Sequence, residues 1–314
     1  MAASRTLFLA GPTAVGKSAV ALLLAERLGG EIISVDSMQV YRGLDLGTAK
    51  PSMADQRRVR HHLIDIVDLA ETFDAATFVR HARAAEADIL SRGKLPIFCG
   101  GTGLYFQALL AGLGEAPPTD AALRAQLETL PLPELLAELE RSDPETFARI
   151  DRRNPRRVVR AIEVIRLTGR PFSAQRAVWQ PSATASGPVV VGITRPPGTL
   201  RRRIDERVMD MFARGLVDET RRLLAIGLAQ NRTAMQALGY RQVVAHLQGE
   251  LSLAETIALV QARTWLFARR QSSWFRNQMH CDWIEWCDGE ALESVASRIL
   301  QLGRSPVAAP AANP

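Results

Sequence analysis

The feature that most restricts this chain's fold lies near its start, in LFLAGPTAVGKSAVALLLAERLGG, residues 7–30. Four apolar residues are followed by Gly-x4-Gly-Lys-Ser and then by a stretch with helical composition. Such a pattern arises by chance in roughly one chain of this length in a hundred. Here it also has the required setting, between a strand and a helix. Gly11 and Gly16 permit a backbone path closed to side chains, and the loop amides with the helix N-terminus then face an anion. The residues Gly11, Pro12, Thr13, Ala14, Val15, Gly16, Lys17 and Ser18 form this candidate phosphate site. Lys17 is expected to neutralise the terminal phosphate, and the Ser18 hydroxyl to ligate Mg2+.

A phosphate loop of this kind belongs to a parallel sheet, and further strand signals follow. Thr6 to Ala10 reads as the first strand. SAVALLLAERL reads as a helix stopped by Gly29 and Gly30. EIISVDS is a second strand ending at Asp36. After a helical stretch from Ala75 to Ser91, KLPIFCGG is a third, and VVVGITR a later one. Strands alternating with helices predict an α/β fold, a P-loop NTPase-like core with a parallel sheet flanked by helices. Ligands of such sheets sit beyond the carboxyl ends of the strands. That rule brings Gly11–Ser18, Asp36 and Gly100–Gly103 to one rim.

From about Leu113 strand signals stop. AALRAQLETL and PELLAELER are short helical stretches broken by prolines, and NPRRVVRAIEVIRLTG is the clearest helix. Asn154 suits its N-cap, Pro155 its first turn and Gly169 its end. Val158, Ile162 and Ile165 form an apolar stripe, while Arg153, Arg157 and Arg160 share another face. Spacing alone favours a solvated face. The expected organisation is a core part over 1–112, a small all-helical insertion over 113–188, a mainly helical core continuation over 189–300 and a disordered Pro/Ala-rich tail over 301–314. The low-complexity QPSATASGP links insertion to core.

The 314 residues carry 39 Lys and Arg against 33 Asp and Glu, a net +6 that permits a polyanionic partner. Three cysteines without zinc spacing suit a reducing, cytoplasmic compartment. The opening apolar run is too short for a signal peptide or a membrane span, so no membrane association is expected.

A nucleotide hydrolase would carry an acid at the end of an apolar strand beside the loop. LPIFCGG has none; EIISVDS does, at Asp36, but SMQVYRG is not a hydrolase sequel. Asp36 therefore suits a general base, or a cap on the next element. GGTGLY lets a ligand approach closely, with Thr102 as a hydrogen-bond donor. In LRRRIDERVMDMFARG, Ile204, Val208 and Met211 face inward and Arg203, Arg207 and Arg214 lie on the polar side. Arg263, Arg269, Arg270 and Arg276, interleaved with Trp265, Trp274 and Phe275, suit nucleic acid or an amphipathic surface helix. His61 and His62 lack partners at metal spacing and read as structural.

GPTAVGKS, DSMQVYRGLDLGTAKP, HHLID, GGTGLYFQALLAGL, NPRRVVRAIEVIRLTGRPFS, ALGYRQ and RRQSSWFRNQ occur in this order between residues 11 and 278. Together they resemble the bacterial tRNA dimethylallyltransferases. The resemblance implies transfer of a dimethylallyl group from dimethylallyl diphosphate to the exocyclic amine of the adenosine just 3′ of the tRNA anticodon. It implies that the P-loop and Mg2+ hold the donor diphosphate, with Thr13, Lys17 and Ser18 at donor-binding positions. Asp36 matches the general base, Thr102 a position near the reacting amine, and Arg207 an arginine on the diphosphate. Ser37, Met38 and Gln39 match the adenine pocket. Arg124, the segment Arg156, Arg157, Val158, Val159 and Arg160, and the segment Gln236, Ala237, Leu238, Gly239, Tyr240 and Arg241 match positions that touch tRNA. The chain departs from the family pattern at Val15 and Arg156. The expected partners are the tRNA anticodon stem-loop and the allylic diphosphate, and the expected state is a monomer. Two other classes fit the P-loop alone: a small-molecule kinase, or a non-catalytic RNA-binding ATPase. Both leave DSMQVYRG without a role.

Overall fold

The structure, a computed structural model, describes residues 6–175 and 189–302. The QPSATASGP link and the tail from 303 onward lie outside the described residues.

The strands are short and apolar because a parallel sheet is buried on both faces. β1 (Leu7–Ala10) leads through the glycine loop into α1 (Lys17–Leu28), which Gly29 ends in a left-handed conformation, φ 64°. β2 (Gly30–Val35) is buried along its whole length. Then come α2 (Met53–Arg58), β3 (His61–His62), α3 (Ala75–Ser91), β4 (Leu95–Gly100) and α4 (Gly103–Ala111). The helical segment holds α5 (Ala121–Thr129), α6 (Leu132–Ser142), α7 (Pro144–Arg149) and α8 (Pro155–Thr168). β5 (Val190–Thr194) resumes the sheet, followed by α9 (Pro197–Ala213), α10 (Leu216–Ala225), α11 (Tyr240–Leu247), α12 (Leu253–Gln278), β6 (Asp282–Glu285) and α13 (Leu292–Leu302). α13 takes the first two residues of the expected tail.

The strand order is β3-β2-β4-β1-β5-β6, with every pair parallel. Side chains alternate between the faces. Leu9, Ile32, Ile97 and Cys99 join one apolar cluster with Val20 and Leu24 of α1, Ile204 of α9, Val260 of α12 and Ile299 of α13. Phe8 and Phe98 point the other way and stack at 4.9 Å. Register then places the chemistry. Ala10 and Val35 both pair with Gly100, so β1, β2 and β4 end level. The residues that follow, Gly11, Asp36 and Gly101, start three loops at one rim.

The chain divides into two compact units, one made by Met1–Phe106 with Pro181–Pro314, the other by Gln107–Gln180. The division falls inside α4, a few residues before the expected boundary at 113. An uninterrupted helix carries no composition break to mark it.

The second unit is helical throughout its described residues, around Leu127, Leu135, Leu139, Val158, Val159 and Ile162. Asn154 Oδ1 caps α8 by accepting from Arg157 N, and Gly169 closes it at φ 68°. Buried acids here serve as struts. Asp143 caps α7 by accepting from Thr146 N and also binds Ser173 through its backbone and hydroxyl. Glu163, fully buried, accepts from Asp120 N at 3.0 Å and from Arg160 Nη1 at 2.7 Å.

Candidate active site

The phosphate loop takes its shape from positive φ at Gly11 (146°), Ala14 (63°) and Gly16 (110°). Gly11 has no alternative: a Cβ there would lie 2.5 Å from Ile193 O on the neighbouring strand. Cations hold the loop from behind. Lys17 Nζ donates to Pro12 O at 2.6 Å, Arg203 Nε to Ala14 O at 2.9 Å and Arg195 Nε to Val15 O at 2.8 Å. Arg207 Nη1 lies 3.5 Å from Thr13 Oγ1. With its carbonyls so occupied, the loop presents its remaining amides and the start of α1 as an anion-binding concavity. Burial lowers the Lys17 pKa to about 8, and burial together with Arg203 lowers that of Arg207. Lys17 is buried and Arg207 half-buried, and both face the cleft. Arg195 also lies over the Trp286 ring at 3.9 Å.

At the end of β2, Asp36 Oδ1 accepts from Met38 N at 2.8 Å and Gln39 N at 3.2 Å. Burial pushes its pKa above the usual carboxylate value, against the two amides and Lys17, which pull it down. Asp36 thus caps the turn that follows β2 and also lines the cleft. Ser37 N donates to Thr102 Oγ1 at 3.2 Å, and Thr102 N to Val35 O at 3.2 Å, tying the β4 turn to the β2 turn. Gln39 is held by Ser34 Oγ and by Thr48 O.

These groups line one cleft of about 890 Å³, bounded wholly by residues of the first unit. Thr13, Lys17, Ser18, Asp36, Thr102 and Arg207 share it, as do Ser37, Met38 and Gln39. Gln236, Ala237 and Leu238 line it too. Tyr240 does not: it is fully buried, its hydroxyl donating to Glu219 Oε1 at 2.6 Å and accepting from Gly47 N at 3.1 Å. Glu219 also accepts from the amides of Asp45 and Leu46. The segment 236–241 is thereby locked to the 45–47 loop, which forms another part of the cleft wall, while Arg241 is exposed.

In the helical unit, Arg156 and Arg157 are exposed, and Arg124 pairs with Glu128 at 3.6 Å. Val158 and Val159 are buried in that unit's core. Their side chains stabilise α8, and the surface at this point is made by the arginines around them. Arg160 does not stand with Arg153 and Arg157 as an outward cation. Its guanidinium is held by Glu163 and by Pro117 O. The helical period placed it correctly on α8; the buried Glu163, one turn away, is what draws it in.

Several residues of the site escaped sequence reasoning. Arg195 is adjacent to VVVGIT, and its position at a strand end was the available signal. Gln271 lies within RRQSSWFRNQ, where the arginines and aromatics drew attention. Lys50, nearly buried and paired with Asp45 and Asp65, closes the DSMQVYRGLDLGTAK segment on itself. His62 is paired with the buried Glu31, which Arg92 and Lys94 also reach. Glu31 is the second residue of β2, away from the rim that carries Asp36.

A family model described as IPP transferase matches residues 39–278. A tRNA dimethylallyltransferase of Geobacter metallireducens is 47% identical over 287 residues, covering 90% of this chain and 93% of its own. One of Halorhodospira halophila is 48% identical over 296 residues, covering 92% and 94%. Among solved structures, the tRNA isopentenylpyrophosphate transferase of Bacillus halodurans superposes with a TM-score of 0.69 at 36% identity, covering 95% of each chain. A eukaryotic dimethylallyltransferase acting on tRNA superposes with a TM-score of 0.79 at 25% identity, covering 98% of this chain and 82% of the other.

Proposed function

The chain belongs to the IPP transferase family, and from that premise we propose that it transfers a dimethylallyl group from dimethylallyl diphosphate to the N6 amine of the adenosine immediately 3′ of the anticodon in tRNA, releasing diphosphate. The observation that carries this reading is the sharing of one cleft by a phosphate loop and a half-buried strand-end carboxylate. The sequence LPIFCGG offers no acid at the end of β4 for hydrolysis.

The residues divide the work. An adenine amine is a poor nucleophile because its lone pair is delocalised into the ring. Asp36, its Oδ1 fixed by two amides, takes the amine proton through Oδ2 as the new bond forms. Its raised pKa makes it a better base, once deprotonated, than an exposed aspartate. Thr102, fixed by Ser37 N and Val35 O, orients the amine. Lys17, Arg207 and the loop amides meet the negative charge that gathers on the departing diphosphate. The donor set of the loop fits Mg2+: Ser18 offers an exposed hydroxyl oxygen in the cleft, and Mg2+ is commonly held by few protein ligands together with substrate phosphates. The ion would supply charge neutralisation on the diphosphate.

The exposed Arg153, Arg156 and Arg157 of the helical unit would contact tRNA phosphates, and Gln236 to Leu238 the RNA entering the cleft. The target base must leave the anticodon-loop stack to reach Asp36. No helix among the described residues is long and apolar enough to cross a membrane. The reading places the enzyme in the cytoplasm as a monomer.

Radiolabelled dimethylallyl diphosphate, unmodified tRNA and Mg2+ test it. Label should enter RNA and, after digestion, reside on a single adenosine. Label that stays in the donor, with ATP consumed in a parallel reaction that supplies it, would favour a kinase or an RNA-binding ATPase.

A further inference from the structure

Gln271 of α12 reaches both sides of the cleft floor. Its Oε1 accepts from Thr13 N at 2.8 Å, and its Nε2 donates to Gly101 O at 2.8 Å. The side chain is 9% exposed. Its orientation follows from its partners: an N–H needs an acceptor and a carbonyl needs a donor, so a flipped amide would lose both bonds. Gly101 makes the room, since a methyl group there would stand 2.4 Å from Gln271 Nε2. The same turn of α12 is packed against the start of α4. Trp274 fills the space a side chain at Gly103 would need, and Phe275 meets Phe106 edge-on at 5.8 Å. A rigid helix therefore carries one amide that joins the phosphate loop to the turn bearing Thr102.

Thr13 N is engaged by Gln271, so what this bond contributes is placement of the loop. We propose that Gln271 is a positioning residue for prenyl transfer, fixing the phosphate loop against the Thr102 turn so that donor carbon and acceptor amine are held at one spacing. The proposal rests on the function given above. It assigns Gln271 no contact with either substrate. Without the bridge the two loops shift independently, and a misplacement of about 1 Å between reacting groups costs on the order of 10²-fold in rate.

Gln271→Ala removes both bonds. Gly101→Ala keeps the glutamine but drives its Nε2 off Gly101 O. The two single variants and the double variant are compared with the wild type in single-turnover transfer, well below each melting midpoint. Binding of inorganic pyrophosphate with Mg2+, and of tRNA, is measured alongside. Each single variant should lose about 10–100-fold in the single-turnover rate constant, with both affinities within about threefold of wild type. The double variant should be no more than about twofold slower than Gln271→Ala, because both substitutions break the same bridge. A Gln271→Ala rate constant within about threefold of wild type, whatever its melting midpoint, would overturn the proposal. So would a double-variant loss equal to the product of the single losses. A wild-type chain that forms no product would bring down the functional reading itself; an active wild type with an unaffected Gln271→Ala brings down this inference alone.

Discussion

The two units place their cations differently. In the sheet unit, cations are drawn inward and aimed at one loop: Lys17, Arg195 and Arg203 bind its carbonyls, and burial lowers the pKa values of Lys17 and Arg207. The sheet unit buries acids as well, Glu31 and Glu219, but in the helical unit the buried charged residues, among those described, are acids alone. Glu163 and Asp143 are buried and satisfied by capping amides and side chains, while Arg153, Arg156 and Arg157 stay at the surface. A desolvated cation fixed to one loop recognises a small anion at one geometry. Exposed arginines attract a polyanion through contacts that salt weakens. Under the proposed function the same residue type serves fixed geometry in one unit and diffuse attraction in the other, with burial deciding which.

The sharpest way to break this contrast is at Asp36. Asp36→Asn should lower the single-turnover rate about 10²–10⁴-fold, with little change in pyrophosphate or tRNA affinity. The sign of the pH dependence follows from the raised pKa. The base works when deprotonated, so the wild-type rate should fall as pH drops through the Asp36 pKa, and the asparagine variant should lose that limb. A near-normal rate in the variant would remove Asp36 from its role.

Lys17→Ala should weaken pyrophosphate and donor binding together, by about 10–100-fold, the usual worth of a hydrogen bond to a charged group. Because the Lys17 pKa is lowered to about 8, the ammonium is lost as pH rises through that value. The donor's KM should therefore climb in alkaline buffer in the wild type and not in the variant. Unequal losses for pyrophosphate and donor would mean that the loop holds something other than the diphosphate.

Two arginines on one helix sharpen the contrast further. Arg160→Ala strips the buried Glu163 of its cation, so thermal unfolding should register a loss of roughly 1–3 kcal/mol. Arg157→Ala should leave the melting midpoint nearly unchanged. It should raise the KM for tRNA and flatten its dependence on salt by roughly one unit of slope. If Arg160→Ala instead acts like Arg157→Ala, the division between buried struts and surface arginines fails.

The sheet unit was legible because its signals are local. A glycine loop between strand and helix and apolar runs ending in Asp36 and Gly100 announce themselves within a few residues, as does the capped helix from Asn154 to Gly169 in the helical unit. β3 and β6 were not legible. Two histidines carry no strand pattern, and Asp282–Glu285 becomes a strand through its pairing with β5. The site was legible where it rests on strand ends. It was hidden where it rests on long-range partners: Gln271 lies 258 residues from Thr13, and Arg195 lies 180 from Val15. Arg160 lies on α8 as the helical period has it, but a helical face does not reveal that its guanidinium meets Glu163 and Pro117 O.

The central claim is that the loop Gly11–Ser18 holds the diphosphate of an allylic donor and needs no nucleotide. The direct measurement is product formation in purified enzyme, labelled dimethylallyl diphosphate, unmodified tRNA and Mg2+, with ATP absent and then added. Transfer should run to the stoichiometry of tRNA without ATP, pyrophosphate should compete with the donor, and ATP should compete weakly and only when abundant. Product formation that depends strictly on ATP, with one ADP released for each acceptor consumed, would contradict the account.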